Sequence, residues 1–316
     1  MRRFSRIIIV TKKTQLEELL ERFITKEQAK FYIEHMGLSF LDYETAHSTY
    51  TEVLEKLHRM LPDSPRHQII DRSFLPTFSF FERDLVITLG NNGLVVNTAK
   101  YLDGQPILGI NADPEREEGI LVPFVINELR HKLENLLEEQ FQIKPVTMAK
   151  AVLNDGQELL GFNDLFIGHK SHVSARYRIN YNGIEEDQSS SGIIISTGAG
   201  STGWMKSVIA GALGISNSLF HGQVSLPIQK DFRFDWSANH LIFAIREPWP
   251  SKRTNTGIIF GRIDNDHPLK VISHMPEAGV IFSDGIEEDA ISFTSGAIAS
   301  IGLAKKRANL ITSIYR

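Results

Sequence analysis

The sequence of 316 residues contains no cysteine. That removes disulfide scaffolds, cysteine-ligated zinc and thiol nucleophiles from consideration, and it fits a reducing compartment. Long apolar runs are missing too. None approaches the roughly 18 residues of a membrane span, and the longest, such as Gly192-Ile193-Ile194-Ile195, are of strand length. No sign of charge predominates: 34 Lys and Arg against 38 Asp and Glu leave a net charge of −4, so nothing global advertises nucleic acid or an anionic membrane. An anionic ligand would have to be recognised locally. The basic start, Met1-Arg2-Arg3, leads into an apolar stretch of only residues 7–10, too short for the apolar region of a signal peptide, so a cytoplasmic protein is expected. Neither a P-loop, G-x-x-x-x-G-K-[ST], nor a hydrolase elbow, G-x-S-x-G, occurs, and there is no internal repeat.

What is present is an ordinary globular composition, 42% hydrophobic and 23% charged, in a chain long enough for two domains. Residues 6–10 read as a buried strand, and Leu16, Leu19, Leu20, Phe23, Phe31 and Ile33 predict a helix over 15–35. A second helix is predicted over 48–60, stopped by Pro62 and Pro65. Residues 85–89 and 106–110 are apolar core strands, joined by Gly90-Asn91-Asn92-Gly93, a helical stretch to Leu102 and a stop at Gly104. Such a strand, glycine loop, helix, strand unit belongs in a parallel sheet. After a long helix predicted over 123–141, the character changes. Residues 173–181 alternate apolar and polar and end in Asn182-Gly183, a hairpin signal, and short strand-like runs recur at 241–245, 257–260, 269–272, 280–282 and 291–293. An α/β first part and a β-rich second part are expected, with the boundary between residues 115 and 145.

Three segments could carry chemistry. Gly90-Asn91-Asn92-Gly93, at the carboxyl end of a strand, could bring backbone N–H groups and a helix start to phosphate oxygens; equally, Asn92-Gly93 could be a hairpin turn with Leu94-Val95-Val96 as the return strand. Residues 196–204 contain Gly198, Gly200 and Gly203 in the spacing G-x-G-x-x-G. No acid follows from Trp204 through Lys230, and the loop lies in the β-rich half, which argues against a Rossmann fingerprint and leaves a phosphate- or nucleoside-contacting loop of another kind or a structural turn. Asn163-Asp164, inside the apolar stretch Phe162 to Ile167, must find partners if buried, in a ligand or in a turn. The acidic triplets Glu185-Glu186-Asp187 and Glu287-Glu288-Asp289 read as solvated turns, and His169 and His172 support no metal site.

Taken in order, these segments resemble the NAD kinase family, closest to its mitochondrial-type branch. The carriers are residues 84–93, Leu108 through Gly119, Phe162-Asn163-Asp164, Ser190 through Trp204, Ser283-Asp284-Gly285 and residues 295–300. The resemblance implies an α/β N-terminal domain with a parallel, Rossmann-like sheet (1–120 plus 295–316) and a β-rich, sandwich-like C-terminal domain (121–294). It implies ATP-dependent phosphorylation of the adenosine-ribose 2′-hydroxyl of NAD, with Mg²⁺ accompanying ATP and no metal ligand in the protein itself. Gly90, Asn91 and Gly93 would form the phosphate loop; Asn163, Asp164, Thr197, Gly198, Ser201 and Trp204 would hold the nucleoside. A homodimer or homotetramer is implied, with NAD and ATP as partners. One position departs: the family loop is Gly-Gly-Asp-Gly, and here Asn92 stands at the acid's position, the position carried over as catalytic. That substitution makes weak activity the expectation. It also keeps open a silent NAD- or adenine-nucleotide-binding protein, or a related kinase acting on a sugar, nucleoside or lipid hydroxyl.

Overall fold

The computed structural model describes residues 4–220 and 232–315. The basic start Met1-Arg2-Arg3 and part of the acid-free tract up to Lys230 lie outside them. The chain divides into two compact units, Met1–Lys144 with Ala308–Arg316, and Pro145–Arg307. The cuts fall later than the expected 120/121 and 294/295, because Phe124, Leu129 and Leu136 are buried in the first core while Ala299 and Ile301 are buried in the second.

The first unit opens with β1 (Arg6–Thr11), α1 (Gln15–Phe23), α2 (Lys26–His35), α3 (Phe40–Met60) and β2 (Arg66–Asp71), followed by β3 (Asp84–Gly90), α4 (Asn92–Lys100) and β4 (Pro106–Asn111). The predicted helix over 15–35 is two helices: Ile24 takes φ 64°, and Thr25 starts a new helix by accepting the N–H of Gln28. The helix expected from residue 48 starts eight residues earlier, after Ser39. The strands are parallel in the order β2-β1-β3-β4, with Asn309 and Leu310 pairing on the outer edge of β4. Seven consecutive buried residues make up β3, as a parallel strand covered on both faces requires. The order reverses direction between β1 and β3, which makes their carboxyl ends a topological switch point, the usual ligand position in open α/β sheets. Residues 92–100 are helical, so the alternative hairpin at Asn92-Gly93 is overturned; Leu94, Val95, Val96, Thr98, Ala99 and Lys100 of α4 are buried.

The long helix expected over 123–141 does not form. Its apolar spacing is helical, but only α5 (Ile126–Leu129) and α6 (Leu133–Leu137) result, because Lys132 leaves the helical region between them and Glu139, at φ 59°, ends the second. The chain then enters β5 (Phe141–Leu153), whose residues from Pro145 on belong to the second unit.

That second unit contains β6 (Glu158–Gly161), β7 (Asp164–His169), β8 (Ala175–Tyr181), β9 (Ile184–Ser190), β10 (Ile193–Ser196), α7 (Trp204–Leu219), β11 (Leu241–Ile245), β12 (Phe260–Ile263), β13 (Leu269–Ser273), β14 (Gly279–Ser283), β15 (Ile286–Ser292) and β16 (Ile298–Ile314) as far as Arg307. Pairing is antiparallel, as β16-β13-β8-β9 with β5-β6 beside it, and as β12-β11-β10-β7-β14-β15. Tyr177, Ile179, Leu269 and Val271 of the first set pack with Leu165, Ile167, Ile193, Ile195, Phe243 and Ile281 of the second in one apolar core. Alternate residues Phe166, Ile194 and Ala244 point the other way and meet Met205 of α7. Both faces of β10 are covered, which accounts for its unbroken isoleucine run.

The hairpin at Asn182-Gly183 forms with both residues at positive φ, 54° and 75°. Its strand begins at Ala175, leaving Val173 exposed, and the run expected at 257–260 becomes strand only at Phe260, with the carbonyl of Ile259 accepting the N–H of Ile245 at 2.9 Å just before it. Glu185-Glu186-Asp187 is not a solvated turn. It lies in β9, where buried Glu186 accepts the N–H groups of Gly257 and Ile258 at 3.2 and 2.8 Å, and Asp187 pairs with Arg178 at 2.8 Å.

Candidate functional site

In the first unit, β1, β3 and β4 deliver their carboxyl ends to one cavity of about 370 Å³, bordered by Lys12, Arg72, Gly90, Asn91, Asp113 and Arg116 among others. Gly90 sits at φ +152°, and a Cβ there would meet Leu94 at 3.4 Å and Lys12 Cε at 3.6 Å, so the bare backbone leaves room for the lysine stem. Asn91 precedes α4 with its side chain making no cap bond, and it borders the cavity. The loop therefore has the strand-end position and the helix start anticipated for a phosphate contact.

Asn92 behaves differently from its neighbour. Its Oδ1 accepts the N–H of Leu121 at 2.9 Å and its Nδ2 donates to the carbonyl of Glu118 at 3.4 Å. The amide ties the loop to residues 118–121 and does not border the cavity. Only a group with an acceptor and a donor satisfies both backbone partners; a carboxylate would satisfy one and face the other with like polarity.

In the second unit the predicted nucleoside-binding residues come together at one turn. Thr197 accepts and donates entirely within the protein: its N–H and Oγ1 reach the carbonyl of Asn163 at 2.9 and 3.1 Å, Oγ1 reaches that of Phe162 at 2.6 Å, and it accepts the N–H of Gly200 at 3.2 Å. Ser201 Oγ donates to the carbonyl of Gly198 at 2.7 Å. Both hydroxyl protons are thus spent inward, so these residues shape the turn rather than offering donors from it. Gly198 and Gly200 are required sterically, since a Cβ would overlap the backbone of Asp235 in one case and of Asn163 in the other. The strand before them has antiparallel neighbours on both sides, which excludes a Rossmann βαβ unit despite the spacing.

Asp164 is buried, and its carboxylate accepts no hydrogen bond among the described residues. Burial, and secondarily the charge of Asp284, push its pKa up to about 7. Asp284 in turn gathers the N–H groups of Phe162, Asn163 and Asp164 at 3.0, 2.6 and 3.2 Å, while its own N–H donates to the carbonyl of Asp164 at 3.1 Å. Trp204 stacks on Phe166 at 5.5 Å between ring centres, with Arg246 over its face at 5.4 Å, and it lines a largely apolar cavity of about 570 Å³ with Val208, Ala244 and Pro248.

Two features of the candidate site escaped sequence reasoning. Asp284 stood in a quoted motif without a role, because its partners are some 120 residues away. Lys12 carried a readable signal, its place just beyond the carboxyl end of a buried strand. Among the described residues no group of three or more His, Asp or Glu converges to hold a metal.

No protein-family model matches the chain. It is similar to human mitochondrial NAD kinase 2, 25% identical over 318 residues, covering 77% of this chain and 71% of that protein. An NAD kinase of Saccharolobus solfataricus is 26% identical over 121 residues, covering 38% of this chain and 46% of that one. Among solved structures, yeast NADH kinase complexed with NADH superposes with a TM-score of 0.60 at 12% identity, covering 98% of this chain and 83% of that one. An NAD kinase from Archaeoglobus fulgidus in complex with ATP gives 0.55 at 15%, covering 97% and 93%. With the ordered motifs, the parallel sheet carrying its glycine loop and the antiparallel sandwich carrying Asn163-Asp164, these likenesses agree: in sequence and in fold the chain is similar to NAD kinases.

Proposed function

We propose that this protein transfers the terminal phosphoryl group of ATP to the adenosine-ribose 2′-hydroxyl of NAD, giving NADP. The observation that carries the reading is the cavity at the switch point of the parallel sheet, where a glycine loop and basic side chains meet in a chain similar to NAD kinases. The cavity in the first unit takes the donor's phosphates, and the turn at Asn163 and Asp164 takes the acceptor's nucleoside. In the reaction the hydroxyl oxygen bonds to the terminal phosphorus as the bond to the leaving diphosphate breaks, and the hydroxyl proton is released. Such transfers depend mostly on positioning and on stabilising charge.

Asn92 can take no proton, and loss of a general base costs about 10²- to 10⁴-fold in rate, so a slow enzyme is expected. Mg²⁺ enters as part of the nucleotide substrate, where it neutralises phosphate charge; the described residues do not make a site for it by themselves. Among the described residues no helix is long and apolar enough to cross a membrane. A cytoplasmic homodimer or homotetramer completes the proposal. A coupled assay with ATP, Mg²⁺ and NAD, in which a dehydrogenase reduces the NADP formed, tests it: NADPH should accumulate in proportion to protein, and no accumulation above the protein-free control would overturn it.

A further inference from the structure

Four cations border the cavity of the first unit, Lys12, Lys13, Arg72 and Arg116, together with Glu18, Asp113 and Glu117. They are not equivalent. Lys13 pairs with Glu21 at 2.5 Å, and Arg116 lies 3.7 Å from Asp113 and donates to the carbonyl of Asp42 at 3.0 Å. The side chains of Lys12 and Arg72 make no ion pair and no hydrogen bond among the described residues. Of these two, Arg72 is exposed and Lys12 is half-buried, its stem lying across Gly90.

The backbone of Lys12 is held in that place. Its N–H donates to Tyr50 Oη at 3.2 Å, and the same hydroxyl donates to the carbonyl of Leu89 at 3.1 Å, one residue before Gly90. Tyr50 therefore buckles the carboxyl end of β1 to that of β3, and its burial pushes its pKa up to about 12, so the hydroxyl keeps its proton. A lysine whose backbone is fixed, whose ammonium group makes no ion pair among the described residues, and whose stem crosses the glycine of the loop is arranged for an anion that the protein does not itself contain. Asn92, the other polar side chain of the loop with a defined role, is already committed to the backbone of Glu118 and Leu121.

We propose that Lys12 binds the phosphate chain of the donor, with Arg72 as a second contact at the outer side of the cavity. The inference rests on the phosphotransferase reading above, but it concerns the polyphosphate site and not the acceptor. Lysine acts on phosphate as a point charge, so arginine should substitute in part and a neutral side chain of similar length should not. Calorimetric titration of the intact protein with Mg²⁺-ATP and with inorganic tripolyphosphate tests it on the unmodified chain, Lys12→Met, Lys12→Gln and Lys12→Arg. Loss of one charge-assisted contact should weaken both ligands about 10- to 100-fold in the Met and Gln variants, with most of the affinity kept in Lys12→Arg. NAD binding should stay unchanged in all of them, and the KM for ATP should rise more than kcat falls. Tripolyphosphate that binds the Met or Gln variant as tightly as the unmodified protein would overturn the inference, and so would an unmodified protein that binds neither ligand. A protein that makes no NADP but still loses tripolyphosphate affinity on Lys12→Met would sink the NAD reading and leave the lysine's role standing.

Discussion

The cavity of the first unit and the turn of the second solve opposite problems with similar short polar segments. At the carboxyl ends of β1 and β3, two cationic side chains are left without partners and the backbone is bare at Gly90. At the turn of residues 162–164 and 197–201, most hydrogen-bonding groups are consumed internally, and the side-chain amide of Asn163 and the buried Asp164 carboxylate are the exceptions among the described residues. The first region offers charge without partners, and the proposed phosphate contact would depend on that charge. The second is a rigid frame around one acid, where geometry is the fragile element.

That contrast can be broken most severely in the frame. Gly200→Ala puts a methyl group into the backbone of Asn163, and overpacking of this kind should cost about 3 kcal/mol or more and abolish NAD binding. Urea denaturation and NAD titration of the variant are the measurements; unchanged stability would show that the turn is not rigid.

Next in size is the isolated acid. The pKa of Asp164 is raised in the folded protein, so between its unfolded value of 3.8 and about 7 the folded state holds the extra proton. Stability from this group is fully present below the lower value and falls as pH rises through the upper one. Asp164→Asn should therefore leave stability near pH 4 unchanged and raise it at pH 8, by on the order of 3 kcal/mol. Parallel denaturation series at the two pH values decide the matter, and an equal gain at both would refute the assignment.

Asp284→Asn sharpens the same region. An amide cannot accept at both of its ends, so at least one of the three backbone N–H groups loses its partner, for about 2 kcal/mol. Removing the charge also shifts the titration of Asp164 towards acid, which a purely structural effect would not do; the pH profile of NAD affinity reports it.

The smallest effect is expected in the first unit. Asn92→Asp keeps the bond from Leu121 and sets a carboxylate against the carbonyl of Glu118, for about 1 kcal/mol. Because the bond to Leu121 holds the side chain away from the cavity, the new carboxylate does not reach the acceptor hydroxyl, so the slow rate set by the missing base should persist and kcat should change by no more than a few-fold. A large gain in NADP formation would show that the residue swings into the site and that the tie to residues 118–121 is dispensable.

Elements with a single dominant signal were legible in the sequence. The apolar runs of β1, β3 and β4 announce buried parallel strands, and Asn182-Gly183 announces its hairpin, because in each case neighbours along the chain determine the conformation. The helix expected over 123–141 misled because helical spacing of Ile126, Leu129, Leu133 and Leu136 says nothing about the break at Lys132. Glu186 misled because its burial depends on N–H groups some 70 residues away. The site divides in the same way. Gly90, Asn91, Asn163 and Asp164 could be named from local pattern, whereas the tie made by Asn92 and the grip of Asp284 depend on which distant backbone arrives beside them. Thr197 and Ser201 lie at the same turn as Asn163 and Asp164, yet only the hydrogen bonds show that their hydroxyls face inward.

The path of β16 has a consequence for how the protein is made. Ala299 and Ile301 of this strand are buried in the second core, whereas Ile311 and Ile314 are buried in the first, and Leu310 pairs with Ile107 on the edge of β4. A ribosome delivers residues in order, so when the first 144 have emerged, their sheet still presents an unpaired apolar edge. It must wait until the second unit's residues have been synthesised before its last strand arrives. During that interval the edge of β4 is open to pairing with another chain, and the first unit, though translated first, is the last to close.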